Sequence, residues 1–401
     1  MQKFDPHAEA IINTWASLAG LMARIGVTED PETAANKALN EAVAEFATRV
    51  QRFDPIRLIE VARLASLPMT PTGAVNPIVP DASASRLELL ALVALTARQA
   101  MEFGAGAPKI AVADQEMSHF VSEALSELDT LLHLAQVRSF AAADPTDKLA
   151  LVSLLIQGGE VWMRNSSYPE MVEVTTAALL DGEPKVRTAL NSELGFDATD
   201  AIMVLNACHD LQEIAMNQRI DAMRDTVLQA MMASEAGRAD DALMDRARSS
   251  LMTMFEPESS DATVALSEIA SHTGLPWERV RAVVERFRLD LAGATPEQVV
   301  DAFSAGNNPL RVRPLIACSD ERVLLPHPAL HVFAVRENLE DFLKASALWS
   351  KYAKHRGDLL EERTRSALDR VLPGAHCRDG FEYYIPANEA GLRRSRLTSV
   401  L

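Results

Sequence analysis

Few residue groupings in this chain have the types and spacing that catalysis or metal binding requires. Glu116 and His119 form one Glu-x-x-His, the pattern that supplies carboxylate and imidazole ligands in di-iron bundles. Such a site needs the motif twice with two further glutamates, and no second copy occurs, so the pair reads as a surface feature. His327 and His331 stand four apart, as helical zinc ligands do, but Pro328 separates them and no acidic partner is patterned nearby. They read as the start of a helix. Cys208, Cys318 and Cys377 match no metal-ligand spacing and are expected to be reduced thiols. No metal ligand set is therefore assigned. Neither a Gly-x-x-x-x-Gly-Lys-Ser/Thr loop nor a Gly-x-Ser-x-Gly elbow is present. The stretch GGEVWMRNSSYPE, residues 158–170, gathers Trp162, Arg164, Asn165 and Tyr168 at an expected helix end and loop. Loops of that composition often bind a partner, and the alternative is an aromatic plug at a helix junction. In HRGDLLEERTRSALDRVLPG, residues 355–374, Glu361 lies beside an apolar stripe of Leu360, Thr364, Ala367, Leu368 and Val371. Asp358, Glu362 and Arg363 suit an ion-paired solvent face there.

Most of these residues must be positioned by helices. Ile11, Trp15, Leu18, Leu21 and Met22 follow helical spacing up to Gly26. Asp30-Pro31 and Asp54-Pro55 each pair a capping carboxylate with a first-turn proline. A proline-rich loop is expected over 68–85. Between Asp197 and Phe255 only Gly237 interrupts, which predicts two or three helices, some long. No fixed repeat period appears, so an irregular bundle is expected rather than a solenoid. After a polar linker, ALSEIASHTGLPWERVRAVVERFRLDL reads as helix, glycine-containing turn, helix, and resembles a helix-turn-helix or small winged-helix unit. A DNA-reading version places basic and amide side chains early in the second helix. Here Arg279, Arg281, Arg286 and Arg288 alternate with Glu278 and Glu285, so DNA reading and a purely structural role both stay open. RVRPLIA and RVLLP around a Ser-Asp-Glu turn predict a small hairpin, and helix resumes to His355.

The 401 residues carry 48% hydrophobic and 24% charged side chains, in the range of a folded globular chain with room for two or three domains. Aromatics are only 5% while Ala, Leu, Glu and Met are plentiful, a mixture that favours helices because straight side chains lose little rotamer freedom there. No apolar run is long enough to span a bilayer and no secretory leader is patterned, so a cytoplasmic protein without membrane contact is expected. The net charge is -17, unevenly distributed. Residues 344–401 hold 11 Lys and Arg against 7 Asp and Glu, whereas the preceding part holds 28 against 49. An acidic body repels phosphate, so only the C-terminal segment has the sign for nucleic acid.

The order RPLIACSDERVLLPHPAL, helix, then KHRGDLLEERTRSALDRVLPGAHCRDGFEYYIP resembles the opening of PD-(D/E)XK-type nuclease domains, which in some bacterial proteins follow a long helical region. The resemblance implies a first helix whose glutamate, matched here by Glu361, helps hold a catalytic Mg²⁺. It also implies strands carrying an aspartate and a Glu-x-Lys pair. After Ile385 the chain reads PANEAGLRRSRLTSVL, with no such set. Glu361 is thus the only catalytic residue carried over. Mg²⁺ belongs only to a complete site in a longer chain, and no cofactor is expected otherwise.

The expected architecture is mainly α. An acidic helical bundle occupies 1–255, a helix-turn-helix-like module 256–300, and a short hairpin with connecting helix 301–345. Residues 346–401 form a small basic α/β segment like the start of a restriction-endonuclease-like fold. Two functions are expected. One is a catalytically incomplete nuclease relative in a nucleic-acid-processing or defence system, either cut short or keeping its opening helix for packing. The other is a helical scaffold for protein assembly. Candidate contacts to a protein partner, a second copy, DNA or RNA are Arg279, Arg281, Arg393, Arg394, Arg396, Trp162, Arg164 and Tyr168.

Overall fold

The computed structural model describes residues 30–66, 82–97, 114–156 apart from 145, 151 and 155, 169–235, 241–255, 263–327, 330–372, 381–387 and 391–397. The expected first helix, most of the proline-rich loop and the stretch containing Trp162, Arg164 and Tyr168 lie outside them. The helices are α1 (Pro31–Val50), α2 (Pro55–Ser66), α3 (Ala82–Ala97), α4 (Asp114–Ala142), α5 (Pro169–Leu180), α6 (Pro184–Glu193), α7 (Ala198–Glu235) and α8 (Asp241–Phe255). Then come β1 (Val264–Ala265), α9 (Leu266–Thr273), α10 (Trp277–Phe287), α11 (Pro296–Ser304), β2 (Ile316–Ser319) and β3 (Arg322–Leu324). The chain continues through α12 (Leu330–Lys344), α13 (Trp349–Val371), β4 (Phe381–Ala387) and β5 (Gly391–Leu397). The protein is mainly helical, with a small three-stranded antiparallel sheet. Two compact units do not follow chain order: Met1–Pro169 with Asp200–Val335, and Glu170–Thr199 with Arg336–Leu401.

In the first unit α3 is apolar nearly all round, and Leu87, Leu89, Leu90, Leu92 and Val93 are fully buried. A helix without a polar face must be covered on every side. It is packed by α1, α2, α4 and α11. Its one buried carboxylate, Glu88, accepts a hydrogen bond from the Asn308 amide, and Asn308 also accepts from the Leu310 N–H at 3.0 Å. That arrangement ties the loop after α11 to the core. Phe120 of α4 stacks on Phe53 at 4.7 Å, and the Arg49 guanidinium lies 5.2 Å from the same ring. An aromatic cluster thus forms where α1, α2 and α4 meet.

The capping residues act as their sequence positions imply. Asp30 accepts from the Thr33 N–H at 3.0 Å and Asp54 from the Arg57 N–H at 3.0 Å. Thr295 and Gln298 exchange reciprocal bonds at the start of α11. In the 197–255 region the two long helices α7 and α8 appear.

The expected continuous helix through 330–355 is broken instead at 345–348. The Ser346 hydroxyl donates to the Leu343 carbonyl at 2.8 Å and accepts from the Leu348 N–H at 3.2 Å, offering the backbone partners outside the helix.

In the second unit α13 is fixed to α5 twice. A ring nitrogen of His355 lies 3.0 Å from the Ala178 carbonyl, and Arg363 donates to the Thr175 hydroxyl at 2.7 Å. Asp181 accepts from the N–H groups of Ala198 and Thr199 at 3.1 and 2.8 Å. Between these contacts sits Gly182, where a methyl group would lie 2.2 Å from the Ala178 carbonyl oxygen and 3.2 Å from His355. Gly182→Ala is therefore expected to destabilise the protein by about 1–3 kcal/mol through forced backbone displacement. Equilibrium urea denaturation of the two proteins measures this.

Candidate functional site

The residues with the most developed chemistry fall in two places, one in each unit. The first is built from β1 to β3. Val264 pairs with Val323 and Ala265 with Arg322, so the sheet has the order β1-β3-β2 and encloses the helix pair α9–α10 in sequence. Glu268 accepts from the Ala265 N–H at 2.8 Å and opens α9. Gly274 closes that helix at φ 70°, a conformation that strains any L side chain. Pro276 then presets the start of α10. Val280, Val283, Val284 and Phe287 are buried on one side of α10, which leaves Trp277, Glu278, Arg281 and Glu285 outside. Arg279 is ion-paired to Asp200 of α7, whose side chain is only 10% exposed. Arg281 is exposed, and Arg288 pairs with Glu285 at 3.8 Å. The β2–β3 turn presents Asp320 and Glu321. The outward surface of this module is therefore mixed in charge, with its first arginine already engaged.

Beside this module, the His209 ring of α7 stacks on His331 of α12 with centroids 4.9 Å apart. Glu213 lies 3.7 Å from His209, and His272 lies 3.7 Å from Asp210. Burial pushes His209 below the usual imidazole range, opposed by Glu213 and Asp210 and reinforced by Arg63. His327 and His331 do not form a ligand pair on one helix, because α12 begins only at Leu330. Cys208 and Cys318 are held protonated, since burial pushes both thiols up to about 12.

The second place lies on α12 and α13. Tyr352 is fully buried, and its hydroxyl donates to Glu340 at 2.5 Å. Arg336 Nε donates to the same carboxylate oxygen at 3.0 Å, and Arg356 approaches it at 3.7 Å. Arg356 also lies within 5.8 Å of the Trp349 ring centroid and 5.9 Å of that of Tyr352. Burial opposes ionisation of Glu340, but the bonds from Tyr352 and Arg336 and the two guanidinium charges hold it below the usual carboxylate range. This is a closed network whose partners satisfy one another.

Glu361 stands five residues beyond Arg356 on α13, half-buried. A hard divalent cation takes several oxygen ligands. Among the described residues no group of three or more His, Cys, Asp or Glu is placed to hold a metal, and none is gathered around Glu361. β4 and β5 pair antiparallel, with Glu382 in register with Arg396, Tyr384 with Arg394 and Ile385 with Arg393. The arginine-bearing strand was not foreseen, although its three arginines were.

Glu116 and His119 are surface partners of Arg52 and Glu123, not ligands. Sequence reasoning missed Asp200, Glu340 and Tyr352. Asp200 carried one weak signal, an acid in the first turn of a helix. Among the described residues no helix is long and apolar enough to cross a membrane. No protein-family model, curated protein or solved structure matches the chain.

The histidine stack gives a pH dependence of defined sign. A histidine whose folded value is depressed binds fewer protons folded than unfolded, so its contribution is present above about pH 6.5 and lost as pH falls through that range. His133, also lowered by burial, acts in the same direction. Urea denaturation at pH 7.5 and 5.5 should show lower stability at the acid pH, and His209→Phe should make that loss smaller.

Proposed function

We propose that this chain is a non-catalytic binding protein that assembles with other protein chains, and that its helix-turn-helix-like module packs rather than reads DNA. The observation that carries this reading is the engagement of Arg279 by Asp200. A reading helix offers its early side chains to base edges. Here the earliest arginine is bound within the protein, its neighbour Glu278 is acidic, and the adjoining wing turn is Asp320-Glu321. Close to a phosphate backbone these carboxylates repel. Small three-stranded modules of this topology support packing as readily as recognition, so the fold alone decides nothing.

A second reading, a catalytically incomplete relative of PD-(D/E)XK nucleases, is favoured by one observation. A helix bearing Glu361 is followed by an antiparallel strand pair. In that reading Arg393, Arg394 and Arg396 meet phosphate of DNA or RNA in a nucleic-acid-processing or defence system. Glu361 is then a remnant of a site that lacks its other carboxylates. The restriction-endonuclease-like opening and the bacterial setting belong to this second reading.

Fluorescence anisotropy with labelled duplex DNA and single-stranded RNA separates the two. The protein-binding reading expects no saturable binding at about 200 mM salt and no effect of Arg281→Ala. The nuclease-related reading expects binding that strengthens steeply toward about 50 mM salt, with a slope near −0.9 per phosphate on duplex DNA, and loses it on replacing Arg393, Arg394 and Arg396 by glutamate. Salt-sensitive binding abolished by Arg281→Ala would instead overturn the packing role of the module.

A further inference from the structure

The helix α7 carries an exposed face whose residues complement a second copy of themselves. Its opposite face is committed to the first unit. Met216 is buried with Ile220 and Met223 packed against it, Gln212 accepts from the Leu325 N–H at 3.2 Å, and Arg219 pairs with the buried Glu60. Ala230, on the same side, is 3% exposed. The outward face bears Ile214, Asn217, Asp221, Arg224, Leu228 and Met231, all exposed. Their spacing alternates three and four residues, the seam that two helices share when they pack along their lengths. Ile214 is 46% exposed, Leu228 48% and Met231 54%, and Met232 beside them is 69% exposed. Methionine on such a seam is apolar and adapts its shape to whatever it meets.

We infer that α7 pairs antiparallel with α7 of a second copy about a two-fold axis midway between Asp221 and Arg224. The order of residues argues for this occupant, because it is self-complementary only when one helix is reversed. Ile214 of one chain then meets Met231 of the other, Asn217 meets Leu228, and Asp221 meets Arg224, each contact occurring twice. A parallel pair would set Asp221 against Asp221 and Arg224 against Arg224. Arg224 and Asp221 already lie 2.9 Å apart within one chain, each 58% exposed, so they can exchange partners across the axis without leaving water for a dry interior. The seam from position 214 to 231 spans about 26 Å at the rise of an α-helix. The inference rests on the protein-binding reading and names its partner as the chain itself.

Sedimentation velocity on the full chain at micromolar concentration tests it. The expected species has twice the 43.7 kDa of one chain. Leu228→Glu with Met231→Glu should weaken self-association by at least about tenfold while circular dichroism stays unchanged, since both side chains face outward. The charge-reversed pair Asp221→Arg with Arg224→Asp should still self-associate. It should not mix with the native chain, because every cross-axis charge contact would then be between like signs. A monomer at all concentrations, a dimer indifferent to the glutamate substitutions, or free mixing of native and reversed chains would each overturn the proposal. Failure here leaves the protein-binding reading standing unless nucleic-acid binding through Arg281 is also observed.

Discussion

The pairing of Asp200 with Arg279 is the constraint from which the functional account follows. Asp200 lies in the first turn of α7, where the helix dipole already favours a negative charge, and its side chain is almost out of contact with water. A carboxylate in that position needs a cation, and α10 supplies one from its own first turn. The residue that could have reached outward is thereby held against α7, though its side chain stays 38% exposed. With that contact made, the outer surface of the module is Trp277, Glu278, Arg281 and Glu285, mixed in charge.

The same logic recurs through the first unit. Buried Glu60 is enclosed by Arg63 and Arg219, while the more exposed Asp129 pairs with Arg86 and Asp301 with Arg138. Many of the arginines of an acidic chain are spent on its own carboxylates, which rigidify helix contacts in a core short of aromatic rings. In the second unit Glu340 draws Tyr352, Arg336 and Arg356 together for the same reason.

The local features were legible in the sequence, and the long-range ones were not. Asp30, Asp54 and Thr295 act within three residues of themselves, so cap position and cap chemistry coincide in the string. The hairpin of β2 and β3 was readable because β-branched residues flank a polar turn. The strand Val264–Ala265 was not, since two residues carry no alternation and extended geometry there comes from pairing with Arg322 and Val323. The strand Gly391–Leu397 is masked in sequence by its arginines, which raise charge without revealing backbone state. The break at Ser346 depends on one hydroxyl taking backbone partners, a choice that periodicity cannot see. Arg279 was singled out as a contact residue from its position. What redirected it, an aspartate 79 residues earlier, becomes visible only in three dimensions.

A double-mutant cycle on Asp200→Asn and Arg279→Ala, read both as stability and as affinity for duplex DNA, bears most directly on the packing role of α10. The expected result is a coupling of about 1–2 kcal/mol in urea denaturation and no change in DNA affinity for any member of the cycle. Additive stabilities, together with a loss of DNA affinity in Arg279→Ala, would contradict it.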